Sequence, residues 1–171
     1  MSKTTDNLKA ALAGEAQARA KYKAFAGIAR KAGLPTIAAI FEETADNEFE
    51  HAKKIMKLLT MLGDTPANLR VAIDGEDYEW QQMYPTFAAQ AKEEGEAAAA
   101  RYFEHVMAAE KAHAERYRDL LKALEGGTMH TADRPVTWRC TNCGWVTTAQ
   151  EAPNVCPVCD HPQGYFQQVC A

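Results

Sequence analysis

Seven side chains in the first two thirds of the chain stand out as candidate metal donors, and six of them fall into two matched sets. Glu15 pairs with Glu48-x-x-His51, and Glu76 pairs with Glu110-x-x-His113. Glu15 to Glu48 is 33 positions and Glu76 to Glu110 is 34, and the flanks echo as well, Asn7-Leu8 … Gly14-Glu15 against Asn68-Leu69 … Gly75-Glu76. Each set offers two carboxylates and one imidazole, donors that suit iron or manganese and bind zinc less characteristically. The seventh residue breaks the symmetry. Glu79 stands three after Glu76, where the first copy has Ala18 three after Glu15, so one metal is offered an additional carboxylate. Farther along, Cys140-x-x-Cys143-Gly and Cys156-Pro-x-Cys159 form two knuckles that together make a four-thiolate tetrahedral site, acceptable to iron or zinc. Cys170 is left over.

Helices have to position the first group. Residues 1–125 are Ala-rich and Gly-poor and predict four of them: about Thr5 to Ala32, Pro35 to Gly63, Thr65 to Gly95 with a bend at Pro85, and Glu96 to Leu124. The second shows Ile37, Phe41, Thr44, Glu48, His51, Ile55, Leu58, Leu62 on one stripe, and the fourth Phe103, Val106, Glu110, His113, Tyr117, Leu120, Leu124. Leu8, Leu12, Glu15, Tyr22 and Leu69, Ile73, Glu76, Met83 do the same on the first and third. A carboxylate buried on such a stripe costs several kcal/mol unless a cation neutralises it. Charged residues spaced only for solubility would sit on the opposite face. One Glu from each of two helices and Glu-x-x-His from each of the others is the ligand set of carboxylate-bridged dimetal bundles. It predicts Glu48 and Glu110 as bridges, Glu15 and Glu76 as terminal ligands, and one nitrogen each from His51 and His113. Tyr22 and Tyr84, on or near this face, could donate hydrogen bonds to a ligand or serve as buried structural tyrosines. His105 and His130 have no such partners and are read as solvated or capping residues.

Residues 126–136 read as a linker, and 137–171 as a Cys-, Pro-, Gly- and aromatic-rich domain too small to fold without a metal. A net charge of −4 with interspersed signs gives no nucleic-acid surface. The polar opening has no apolar targeting run and no stretch is long enough for a membrane span, which predicts a cytoplasmic address.

The chain resembles the rubrerythrins over nearly its whole length. The resemblance is carried by Ala-Gly-Glu15-x-Gln-Ala-Arg19, Glu-Thr-Ala-Asp-Asn-Glu48-x-x-His51-Ala-Lys, Gly-Glu76-x-x-Glu79, Met83-Tyr84-Pro85, Glu110-x-x-His113, Trp138-Arg139-Cys140-x-x-Cys143-Gly-Trp145 and Cys156-Pro-x-Cys159-x-His161-Pro. It implies an all-α ferritin-like four-helix bundle with two non-haem irons and a rubredoxin-like domain with one iron on Cys140, Cys143, Cys156 and Cys159. It also implies a peroxidase that reduces hydrogen peroxide to water. Electrons would come from a reduced pyridine nucleotide through a rubredoxin or an NAD(P)H-dependent reductase, and pass through the cysteine-bound iron. Glu79 and His51 would alternate as ligands of one iron, and Glu79, Tyr22 and Tyr84 are the candidate catalytic groups.

One feature departs from a ferritin-like bundle, whose second and third helices run parallel and need a long crossover. The predicted join, Gly63 to Pro66, spans at most about 14 Å, against roughly 40 Å for a helix of that length. The expectation is a domain-swapped homodimer, with helices 1–2 of one chain completing helices 3–4 of the other. An up-down-up-down bundle within one chain is the alternative. Two other functions compete with the peroxidase: ferrous-ion oxidation for storage, and a zinc-bearing interaction module attached to a sensor.

Overall fold

The computed structural model describes residues 2–169; Cys170 lies outside them. The helical elements are α1 (Lys3–Lys31), α2 (Pro35–Leu58), α3 (Thr65–Tyr78), a π-helical turn (Glu79–Met83), α4 (Tyr84–Glu93) and α5 (Ala97–Glu125). Three strands follow: β1 (Thr131–Cys140), β2 (Val146–Glu151) and β3 (Phe166–Gln168). The chain divides into two compact units between Gly63 and Asp64.

The first unit is the α1–α2 hairpin. Ser2 caps α1 by accepting from the Thr5 amide at 3.2 Å. Gly33, at φ +74°, takes the left-handed conformation that ends it, and Pro35 opens α2. Alanines make the hairpin: Ala26, Ala29, Ala38, Ala45 and Ala52 are its buried residues, and side chains this small let two helices approach closely. Lys23–Asp46, at 2.7 Å, and Arg30–Glu42 tie the outer edges. The large stripe residues Ile37 and Leu58 stay exposed, as does Leu62 beyond the helix end.

The second unit begins with Asp64, whose side chain caps α3 through the Ala67 amide at 2.9 Å. The α3–α4 run lies against α5, burying Ile73, Ala88, Ala91, Ala100 and Ala114. The disturbance expected at Pro85 takes the form of a π-helical turn in the five residues ahead of the Tyr84–Pro85 pair, the turn whose backbone bonding a residue without an N–H disrupts. The sheet has order β2-β1-β3, antiparallel throughout. Its first strand starts at Thr131, inside the stretch read as linker, because Thr131 pairs with Glu151 before the register shifts toward Val136. Trp138 (2% exposed), Cys140, Ala152, Cys156 and Phe166 form its core, with the Trp138 indole N–H donating to the Ala149 carbonyl at 3.1 Å. Among the described residues no helix is long and apolar enough to cross a membrane.

Candidate metal centres

Three groups of side chains bring ligand atoms within 4.8 Å of one another: Glu15, Glu48 and His51; Glu76, Glu110 and His113; and Cys140, Cys143, Cys156 and Cys159. In the first unit His51 Nδ1 lies 2.9 Å from Glu48 and 3.7 Å from Glu15. In the second, His113 Nδ1 lies 2.8 Å from Glu110 and 3.3 Å from Glu76. The three-residue step puts each Glu and His on one helical face. The antiparallel neighbour then supplies the third ligand. Each set is recessed at its carboxylates and open at its imidazole. Glu48 and Glu110 are 17% and 13% exposed, His51 and His113 60% and 45%.

Glu79 is not among the converging ligand atoms of the second set, but it feels their charge. Burial, reinforced by the negative charges of Glu110 and Glu76, holds its carboxyl above the usual carboxylate range, and His113 offsets part of this. Tyr84 lies beside it. Burial and the charges of Glu79 and Glu110 raise its phenol, and a hydrogen bond with Tyr102 adds to the shift. Tyr102 is itself exposed and was not singled out by the sequence. No helical stripe contains it, and its link to Tyr84 depends on how α4 lies against α5. Tyr22 sits on the first set's face in a ring cluster with Phe25 and Phe41. His105 and His130 join none of the three ligand groups.

The four cysteine sulfurs converge within 4.8 Å of one another, with Cys140 and Cys159 Sγ 3.7 Å apart and Cys143 and Cys156 3.6 Å apart. Two similar turns make it. Gly144 N–H donates to the Cys140 carbonyl at 2.9 Å, and Asp160 N–H to the Cys156 carbonyl at 3.0 Å. Both turns need a left-handed residue after the second cysteine, Gly144 at φ +81° and Asp160 at φ +57°. The amides of Trp145 and His161 then point at sulfurs. The Cys143 thiol, despite its bond from Trp145, is pushed up to about 12 by burial and the other thiols. Burial also opposes ionisation of Cys159, but the His161 amide and Asn142 outweigh it and bring this thiol down to about 6. Four converging sulfurs fit a tetrahedral metal, and the oxygen-rich helical sets fit iron.

Comparison with known proteins agrees with this division of ligands. The family model for rubrerythrin matches residues 6–121, and that for the rubrerythrin rubredoxin-like domain matches residues 138–167. A rubrerythrin of Porphyromonas gingivalis is 41% identical, over 97% of this chain and 90% of that protein. A rubrerythrin of Nitratidesulfovibrio vulgaris is 40% identical, over 97% and 94%. The solved structure of nigerythrin in a partially reduced state is 34% identical over 99% of this chain and 88% of that one, with a TM-score of 0.38. The helical part is thus the ferritin-like domain of the family, and the cysteine part is its rubredoxin-like domain. Ligand groups of both kinds fit the family's iron cofactors and support an iron-centred oxidoreductase role. With all three ligand groups inside the matched stretches, the chain belongs to the rubrerythrin family.

Proposed function

We propose that this chain is a peroxide reductase. It would convert one hydrogen peroxide, two electrons and two protons into two waters. The observation that carries this reading is the attachment of a four-thiolate domain to a chain with two carboxylate–histidine ligand sets. A storage protein that oxidises ferrous ion has little use for a one-electron relay, whereas repeated peroxide turnover needs one to return two electrons per cycle, one at a time. Glu15, Glu48, His51, Glu76, Glu110 and His113 would hold two irons, and the four cysteines a third. Bound iron would supply the electrons and the Lewis acidity that break the O–O bond. The chain's own residues do the rest. Glu48 and Glu110, the most recessed carboxylates of their sets, would serve as the shared ligands. Glu79 is a surplus carboxylate beside the second set, able to alternate with His51 as a ligand and to hold a proton near the reacting oxygens. Tyr84, its phenol raised by burial and by the charges of Glu79 and Glu110, keeps its proton available as a donor. Tyr22 stands in the equivalent place in the first set. The electron donor would be a rubredoxin or an NAD(P)H-dependent reductase, and the address the cytoplasm.

The test is anaerobic. Reduced, iron-loaded protein is mixed with hydrogen peroxide or with oxygen while the iron–thiolate absorption is followed. The proposal expects fast oxidation by peroxide and much slower oxidation by oxygen. Indifference to peroxide sinks it.

Assembly belongs to the same proposal. The stripe residues Ile37 and Leu58 of α2 and Leu120 and Leu124 of α5 are exposed, and the connection between α2 and α3 is only residues 59–64. These six residues reach at most about 22 Å. The 24 residues of α2 are about 36 Å long at ~1.5 Å each. A second copy of the chain is therefore the proposed cover: Glu15, Glu48 and His51 of one chain facing Glu76, Glu79, Glu110 and His113 of the other. Fully iron-loaded protein of monomeric mass would overturn it.

A further inference from the structure

The two halves of the helical domain differ by one residue, and the π-helical turn is where it goes. Tyr22 stands seven residues after Glu15, but Tyr84 stands eight after Glu76. At ~100° per residue, seven α-helical steps return Tyr22 to within about 20° of Glu15, whereas eight would carry Tyr84 about 80° away from Glu76. The rings nevertheless cluster alike. Tyr22–Phe25, Tyr22–Phe41 and Phe25–Phe41 centroids are 6.3, 6.1 and 5.6 Å apart. Tyr84–Phe87, Tyr84–Phe103 and Phe87–Phe103 are 6.5, 5.9 and 5.6 Å apart. The turn Glu79–Met83 absorbs the additional residue. Its closing bond runs from the Tyr84 amide to the Glu79 carbonyl, five residues back. A π turn gives up α-helical geometry and persists where something holds it, often beside a functional group.

Here the holder is visible. Asp77, in the last turn of α3, accepts from the indole N–H of Trp80 at 3.0 Å with one carboxylate oxygen. Its other oxygen accepts from the Arg118 guanidinium, on α5. Trp80 is the second residue of the π turn, so Asp77 staples the junction from α-helix to π turn and fixes it to the neighbouring helix. Lys111, 5.6 Å over the Trp80 ring, covers the outer face of the same indole. The first half has Ala16, Arg19 and Met56 at the corresponding positions. There Arg19 stacks on Phe49 at 4.1 Å, inside an uninterrupted α-helix. The staple therefore occurs in the half that carries the π turn and the surplus carboxylate.

We propose that Asp77 is a positioning residue. By accepting from Trp80 and Arg118 together, it fixes the entry to the π turn and so the direction in which Glu79 presents its carboxylate to Glu76 and Glu110. This rests on the reading of Glu79 as a group that serves the iron centre. The experiment is an anaerobic titration of full-length, metal-free protein with ferrous ion, read by bound iron and by the visible spectrum after oxidation. The variants are Asp77→Ala, Trp80→Phe, Arg118→Ala and Arg118→Lys. Glu79→Ala is the benchmark. Arg70→Ala, which removes the α3–α5 ion pair to Glu125 away from the turn, is the control.

Asp77→Ala should weaken the looser helical-domain iron by about tenfold or more, the usual effect of losing a supporting partner. Its oxidised spectrum should shift toward that of Glu79→Ala. Trp80→Phe and Arg118→Ala should move the same way by less, Arg118→Lys should recover most of the loss, and Arg70→Ala should bind iron as the parent does. Parent-like iron binding in Asp77→Ala, Trp80→Phe and Arg118→Ala, beside a weakened Glu79→Ala, overturns the proposal. So does an equal loss in Arg70→Ala, which would mean general α3–α5 packing. Iron binding that follows the expected order in a protein that leaves peroxide unreduced supports the positioning role and removes the peroxidase reading alone.

Discussion

If the connection between α2 and α3 dictates pairing between two copies, lengthening it should let one chain complete itself. The perturbation is an insertion of about 14 Gly and Ser residues between Gly63 and Asp64, giving a link of about 20 residues. A flexible chain of that length has a root-mean-square span of about 25 Å, at ~5.5 Å per square root of residue number. It reaches well beyond the ~36 Å length of α2 when partly extended, whereas the six native residues cannot. Loop lengthening itself costs only about 1 kcal/mol by the logarithmic rule. Against this, a short flexible tether presents the second hairpin at an effective concentration of order millimolar. At about 10 µM protein, self-closure is favoured over pairing by roughly a hundredfold, or about 3 kcal/mol before the loop term. Size-exclusion chromatography with light scattering should therefore show the parent at about twice the chain mass of 18.9 kDa and the insertion variant at about one chain mass. Both should take up iron to the same ratio per chain. An insertion variant that stays dimeric on dilution through the low micromolar range would refute the reasoning, because linker reach would then not decide the pairing.

Other expectations follow from single contacts. Cys156→Ser should unfold the small sheet: a domain of this size holds only about 2–6 kcal/mol of stability, less than the ~10 kcal/mol or more that a four-thiolate metal contributes. Hydrogen exchange should show β1–β3 amides losing protection while those of α5 keep theirs. Tyr84→Phe keeps the ring cluster with Phe87 and Phe103 but removes the hydroxyl that meets Tyr102. Stability should fall by no more than about 1 kcal/mol, while stopped-flow peroxide reduction slows about tenfold or more. Glu104, held below the usual carboxylate range by Lys92 at 2.6 Å, contributes stability that is present above its unfolded value and is lost as pH falls through the folded one. Denaturant titrations of Glu104→Gln should therefore show a deficit at neutral pH that closes in acid, and a deficit that persists in acid would contradict the assignment.

The ligand sets were legible because their chemistry leaves a periodic trace. Glu-x-x-His on an apolar stripe is visible in one dimension, and the structure brings Glu48 to His51 and Glu110 to His113 as the three-residue step requires. The knuckles were equally plain, since a left-handed residue after the second cysteine is written openly as Gly144 in one, though disguised as Asp160 in the other. The π turn left a trace as well, in the 33 and 34 positions that separate the two Glu pairs. A one-residue difference, however, can be placed in any loop or helix until the ring clusters show that register resumes at Tyr84. Pro85 announces an interruption, because it lacks a backbone donor, but not that the interruption takes the form of a π turn over Glu79–Met83. Tyr102 and the Asp77 staple were illegible for a different reason: both depend on which faces of neighbouring helices meet. The strand beginning at Thr131 was hidden because its partner residues lie about twenty positions downstream, beyond any local pattern.

A duplicated ligand set would by itself give two equivalent metals. Equivalence suits storage or structure, but it suits a two-electron reaction poorly, because the product oxygens must leave and the ligands must accept a change in metal charge. The second half departs from the first by related changes: Glu79 in place of Ala18, one more residue absorbed as a π turn, and Asp77, Trp80 and Arg118 where the first half has Ala16, Arg19 and Met56. No one of these changes is sufficient alone. The additional residue on an unbroken α-helix would push Tyr84 and Phe87 off the face they share with Phe103. A π turn without the staple would lose the two contacts that tie its entry to α5. Together they place one more carboxylate near the second ligand set and leave a ring cluster like that of the first half.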